Sequence, residues 1–287
     1  MRTTVGISTL AEARHFLERG ADELYCGFAA MPSHRASAGS FRTVAEVGAI
    51  ASLAHRRGAK LFVAVNEINT NLNSAIVKSL RSLEAAGVDA VILRDPALFS
   101  ILDAEGVKMT RILSSLAFAF NSKTLEYFHG LGIKRVTLPQ QITAAEAKAI
   151  IKNPYGIETE IFFIPRDFCS NIDGLCFFTK HEYGCVPHFL CRNTFSTPNG
   201  DYRMPQLDAE TLLGMLYDYH KAGAHYLKIS RTENFPERMI MFKEARLLLD
   251  MLEKKPSRAA FTAKGGEIMR RLAGLYETYS TPGENKG

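Results

Sequence analysis

Seven times the chain spells a glycine, a small or branched apolar residue and a third residue, mostly charged, ahead of a β-rich run. The units are Gly20-Ala21-Asp22 before ELYCGF, Gly58-Ala59-Lys60 before LFVAVN, and Gly87-Val88-Asp89 before AVILR. Gly106-Val107-Lys108, Gly132-Ile133-Lys134, Gly156-Ile157-Glu158 and Gly223-Ala224-His225 then precede MTRILS, RVTLPQ, TEIFFI and YLKIS. A glycine just past a helix adopts the left-handed conformation that ends it, and the apolar residue behind packs back on the last turn. The preceding segments carry helical apolar spacing, as in Val44, Val47, Ala51 and Ala54, or Ile76, Leu80 and Leu83. Leu207 to Lys221 repeats this after Asp208 as N-cap, and a last helix is expected from Pro236 to Glu253.

The runs after the glycines are short, nearly continuous and rich in Val, Ile, Leu and Phe, as parallel strands buried on both faces should be. With Thr4-Val5-Gly6-Ile7 they make eight strands alternating with helices over most of 287 residues. That predicts an α/β fold, a (β/α)8 TIM-like barrel. A doubly wound open sheet is the rival, but strand count and even pacing favour closure. Two intervals exceed a simple crossover: residues 28–43 after the second strand and 165–206 after the seventh. Both would lie on the barrel face where active sites are built. The expected organisation is a barrel domain over 1–254, including the 165–206 loop, and a short helical C-terminal tail over 255–287. That tail carries a short basic helix from Ala263 to Tyr276.

Composition excludes the disordered, collagenous and coiled-coil classes, at 46% hydrophobic and 23% charged residues. No apolar run approaches the roughly 20 residues that cross a bilayer, so no membrane insertion is expected. The opening residues lack a secretory leader pattern, so a cytoplasmic protein is the expectation. The net charge of +5 is compatible with an RNA partner without demanding one.

Four of the five cysteines, Cys169, Cys176, Cys185 and Cys191, fall within 23 consecutive residues. Reducing conditions argue against structural disulfides there. Thiolates bind soft or borderline metals, and four can enclose one zinc ion or one iron–sulfur cluster. The spacings, six, eight and five intervening residues, match neither the paired C-x2-C of zinc ribbons nor the ferredoxin run. Inert burial and redox disulfide chemistry are the competing readings. Clustering in one polar loop favours ligation.

These features resemble the U32 peptidase-like family over most of residues 2–192. The matching stretches are ADELYCGF, the SAGSF loop, KLFVAVNEI, GVDAVILRDP, SSLAFAFNS and GIKRVTLPQQIT. The most specific is C-x4-G-L-C from Cys169 to Cys176, with Cys191-Arg192 after it. The resemblance implies a [4Fe–4S] cluster on the cysteines. It also implies oxygen-independent hydroxylation, as in ubiquinone biosynthesis or RNA modification, with a prephenate-like oxygen donor. The family's name reflects an older collagenase-type peptidase assignment. The chain departs from its relatives at Pro165-Arg166 after the seventh strand and Gln140-Gln141 after the sixth. Cys185 also lies farther from the Cys191-Arg192 pair than the third cysteine of relatives does. Cys26, at the end of the second strand, is a candidate substitute ligand, although a buried strand cysteine is the commoner explanation.

Other candidates follow strand ends. Asn66 and Glu67 follow the third strand, and Arg94 and Asp95 the fourth, where a barrel places substrate contacts. Asp95-Pro96 reads equally as a helix N-cap with proline behind it. Ser114 and Ser115 bond a substrate or open a helix. His34, Arg35 and Ser40 form either a lid or a solvated loop. Arg166, Arg192 and Arg231 together suit a carboxylate- or phosphate-bearing substrate, whereas singly they suit surface ion pairs. His181 and His188 flank Cys185 and read as groups outside the ligand set.

The reading is an iron–sulfur hydroxylase, or a subunit of one, with Arg94, Arg166, Arg231, Asn66 and Glu67 as its site residues. Its substrate is a small aromatic or quinone precursor or an RNA base. The lack of tryptophan and of an aromatic-rich basic stripe tilts it toward the small molecule. A partner subunit of the same family is a further expectation. The alternatives are a U32-type peptidase, a non-catalytic cluster-bearing subunit, and zinc in place of iron and sulfide.

Overall fold

The computed structural model describes residues 1–33, 39–67, 73–167, 179–180, 188–189, 194–203, 207–231 and 234–280. Strands β1 (Arg2–Gly6), β2 (Glu23–Gly27), β3 (Lys60–Val65), β4 (Ala90–Leu93), β5 (Thr110–Leu113), β6 (Arg135–Thr137) and β7 (Glu158–Phe162) alternate with helices. These are α1 (Leu10–Glu18), α2 (Val44–Arg56), α3 (Asn73–Ala85), α4 (Pro96–Ala104), α5 (Ser122–Gly130) and the short α6 (Lys148–Ile151). After β7 come α7 (Ile164–Asp167) and two antiparallel pairs, β8 (Thr179–Lys180) with β9 (His188–Phe189) and β10 (Thr194–Thr197) with β11 (Gly200–Arg203). The long interval there thus holds strand pairs of its own. Helix α8 (Ala209–Ala222), β12 (Tyr226–Ile229), α9 (Phe235–Glu253) and α10 (Arg258–Ser280) complete the described chain. The parallel strands close as β1-β12-β7-β6-β5-β4-β3-β2, the (β/α)8 barrel the repeat predicts.

All seven repeat glycines have positive φ, from 67° at Gly156 to 99° at Gly223. Gly223 ends α8, its N–H donating to the carbonyls of Tyr219 and His220. Gly156 differs in context, since α6 stops at Ile151. The intervening turn is tied by Asn153, whose Oδ1 accepts from the N–H groups of Tyr155 and Ile157 at 3.1 and 3.0 Å. Helix α10 begins five residues before the expected Ala263 and packs on α8 and α9, burying Phe261, Ile268, Met269 and Leu272. The segment expected as a tail therefore contributes apolar surface to the helical layer.

The lumen is divided by chemistry. Phe62, Ala90, Ile92 and Ile112 make an apolar side along β3, β4 and β5. Arg135 of β6 faces them and donates to Glu23 of β2 through two nitrogens. Because β2 and β6 are not neighbours in the sheet, that pair spans the barrel interior. Glu160 accepts from Lys228 at 3.1 Å and from the Thr137 hydroxyl at 2.7 Å. Burial by itself would raise the Glu160 pKa, but the Lys228 and Arg135 charges and the threonine hydroxyls outweigh it and hold the carboxyl below its ordinary value. At the outer wall, Arg238 of α9 donates to the Gly6 carbonyl and to Glu12 of α1, pinning α9 to the first strand and the first helix.

Candidate functional site

The C-terminal ends of the strands form one face, and the expected site residues fall there with differing partners. Arg94, just past β4, stands 3.4 Å from Glu67 beyond β3, and its guanidinium lies 5.7 Å from the Phe118 ring centroid. Asn66 lies between Glu67 and the end of β3. Asp95 acts as the N-cap of α4, accepting from the Ala97 N–H at 3.0 Å with Pro96 behind it. Ser114 likewise caps a 3-10 turn over Ser115–Ala117, its hydroxyl accepting from the Leu116 N–H.

Arg231, which follows β12, is buried across the top of the lumen. Its backbone N–H donates to the Tyr25 hydroxyl at 2.8 Å, and Nη1 lies 3.4 Å from Ser40 Oγ. Two glycines make room for it. A methyl group on Gly6 would fall 2.6 Å from Arg231 Cβ, and one on Gly27 would fall 2.5 Å from Nη1 and from Ser40 Oγ. Neither distance is open to a side chain, so the glycines at the ends of β1 and β2 are what lets the guanidinium lie over them. Ser40 of the long loop after β2 thus takes part by covering this arginine.

Arg166 points to a different partner. Its Nε and Nη2 donate to Oε2 and Oε1 of Glu244 at 2.9 and 3.2 Å, a forked pair in which Glu244 is fully buried. A guanidinium held this way ties α7 to α9. Arg166 is thus held by a protein carboxylate, whereas Arg231 lies against a serine hydroxyl.

Cys26 lies in β2 next to Tyr25, whose ring sits 4.5 Å under the Lys228 ammonium inside the lumen. Side chains alternate along a strand, so the Cys26 thiol belongs to the layer between barrel and helices, where it is fully buried. Burial pushes that thiol up to about 12, against a smaller opposing effect of Arg231. Cys169, Cys176, Cys185, Cys191, Arg192, His34, Arg35 and His181 lie outside the described residues, as does the side chain of His188. Among the described residues, no group of three or more His, Cys, Asp or Glu side chains is placed to hold a metal ion.

Two features at this face are not among the residues expected from sequence. After β5, Phe118 takes the left-handed conformation, φ 57°, and its ring lies parallel to that of Phe120, 6.3 Å between centroids and 3° between planes. Both rings are partly exposed. Left-handed backbone at a bulky residue is costly and gathers at functional sites. The available signal was two aromatics two residues apart after a strand end. The second feature is Gln140 beyond β6, whose buried carboxamide oxygen has no hydrogen-bond partner among the described residues.

The chain matches the family model for peptidase family U32 over residues 8–278. It is 29% identical over 124 residues to tRNA hydroxylation protein P of Escherichia coli, covering 43% of this chain and 27% of that protein. It is 26% identical over 176 residues to the 23S rRNA 5-hydroxycytidine C2501 synthase of the same organism, covering 61% and 26%. The matched region thus spans about a quarter of these relatives' length. Among solved structures, the U32 peptidase Mk0906 shares 20% identity and a TM-score of 0.44, covering 56% of this chain and 68% of that one. No helix among the described residues is long and apolar enough to cross a membrane. With nearly its whole length inside the family match, this chain belongs to peptidase family U32.

Proposed function

We propose that the chain is an oxygen-independent hydroxylase of this family, or a subunit of one, acting on an RNA base. The observation that carries the reading is the parallel Phe118–Phe120 pair beside Arg94 at the open end of the barrel. Unstacked bases are recognised by stacking on aromatic rings and arginine planes, so this pair supplies a surface suited to one. Relatives named for tRNA and rRNA hydroxylation support the same substrate class over a quinone precursor.

In this reading Cys169, Cys176, Cys185 and Cys191 hold a [4Fe–4S] cluster. Four thiols in one excursion after β7 are the donor set such a group requires. When bound, the cluster supplies one-electron chemistry that side chains do not readily provide. Arg231 and the Glu67–Arg94 pair bind and orient the anionic substrate or oxygen donor. A peptidase built on Cys26 has no support, because a buried thiol with a raised pKa is the reverse of an activated nucleophile.

The test is purification without oxygen, with a visible spectrum and assays for iron, sulfide and zinc, followed by incubation with a prephenate-like oxygen donor and RNA from cells lacking the gene. A brown protein and a nucleoside gaining one oxygen atom are expected, and Cys169→Ser should lose both iron and product. A colourless zinc protein would reject the cluster. Unchanged nucleosides alongside accumulating quinone precursors in the deletion strain would reject the RNA substrate.

A further inference from the structure

Three buried side-chain polar atoms lack a hydrogen-bond partner among the described residues: Glu160 Oε1, Arg238 Nε and Gln140 Oε1. Glu160 Oε1 still has the Arg135 guanidinium 3.7 Å away, and Arg238 is bonded through its other nitrogens to Gly6 and Glu12. Only Gln140 has neither kind of compensation. It is the third residue past the end of β6, on the same face as the candidate site and 7% exposed. One of its two neighbouring strands in the barrel is β5, paired through Leu113 and Val136, and the segment leaving β5 carries Phe118 and Phe120.

A buried amide oxygen without a donor is destabilising, and an apolar residue of the same size would serve the fold better. The group makes sense when a ligand brings the donor. A neutral acceptor past the end of β6, with two parallel aromatic rings past the end of the adjoining β5, suits a planar ligand bearing an N–H on its edge. We propose that Gln140 accepts a hydrogen bond from an N–H on the pairing edge of the substrate base, while Phe118 offers its ring to the base face. This rests on the RNA reading above and specifies how the base is held.

The probes are short RNAs with a single cytidine or uridine between abasic sites, and the same RNAs carrying N4,N4-dimethylcytidine or N3-methyluridine. Full-length protein purified without oxygen should bind one unmethylated probe at least about tenfold more tightly than its methylated counterpart, because a site built for a donor rejects the analogue lacking it. Gln140→Leu should bind both forms alike while unfolding at the same or a higher denaturant concentration than the parent. Gln140→Met is the second variant should leucine prevent folding. Equal binding of both forms by the parent protein, or discrimination surviving in the variants, would overturn the role of Gln140. Failure to bind any of the probes would overturn the RNA reading itself.

Discussion

Arg166 and Glu244 meet through two hydrogen bonds, joining the turn after β7 to the middle of α9 across 78 residues of sequence. Glu244 is fully buried and Arg166 largely so. Taking away the guanidinium leaves the carboxylate without its forked partner, so Arg166→Ala should destabilise the fold by roughly 3 kcal/mol. Glu244→Gln, which keeps a hydrogen-bond acceptor, should cost less. Urea unfolding of the two variants checks the order. A fully stable Arg166→Ala protein with lost activity would instead return Arg166 to the substrate.

Adding one carbon at Gly6 and at Gly27 should have unequal effects. At Gly27 the intruding methyl meets the ends of two side chains, Arg231 Nη1 and Ser40 Oγ. At Gly6 it meets Arg231 Cβ, N and Cα, which cannot swing away. Gly6→Ala should therefore cost the more, within the roughly 1–3 kcal/mol typical of overpacking. Gly27→Ala should stay folded but displace the guanidinium, and activity should fall further than stability does. Thermal unfolding and turnover measured on the same preparations separate the two.

The ionic half of the lumen sets an acid limit. Glu160 has its folded pKa held below the unfolded value. A depressed carboxyl contributes stability that is present above its unfolded pKa, about 4.3, and lost as pH falls through the folded one. Stability should hold steady from neutral pH to about 5 and decline below that. Glu160→Gln should be less stable at neutral pH and show a shallower acid decline. Denaturant titrations across pH 3 to 7 measure both, and an unchanged slope in the variant would remove Glu160 from the account.

Phe118 offers a test that divides strain from binding. Stacking on an aromatic ring is worth about 1–3 kcal/mol per base, so Phe118→Ala and Phe118→Gly should both weaken single-stranded RNA binding by about fivefold or more. At φ 57° alanine bears a cost of about 1 kcal/mol that glycine does not. The glycine variant should therefore be the more stable of the two with equal loss of affinity. Fluorescence anisotropy and urea unfolding give the two readouts.

Much of the scaffold was legible because its signals are local. The repeat glycines, the Asp208 and Asp95 caps and the short buried runs each act within a few residues, and the barrel follows from their count. The candidate site was legible only as positions. Asn66, Glu67, Arg94 and Arg231 do come to one face, since strand ends in a closed parallel barrel must.

The partners that hold the arginines are distant in sequence: Glu244 for Arg166, the two bare glycines and Ser40 for Arg231, and, inside the lumen away from that face, Glu23 for Arg135. The Phe118 conformation and the orphaned Gln140 oxygen belong to the same class. Helix ends and strand runs are decided by neighbours along the chain, where a single sequence is informative. Ion pairs, close backbone approaches and unsatisfied acceptors are decided by which distant segments a closed barrel forces together, and only the folded chain holds that information.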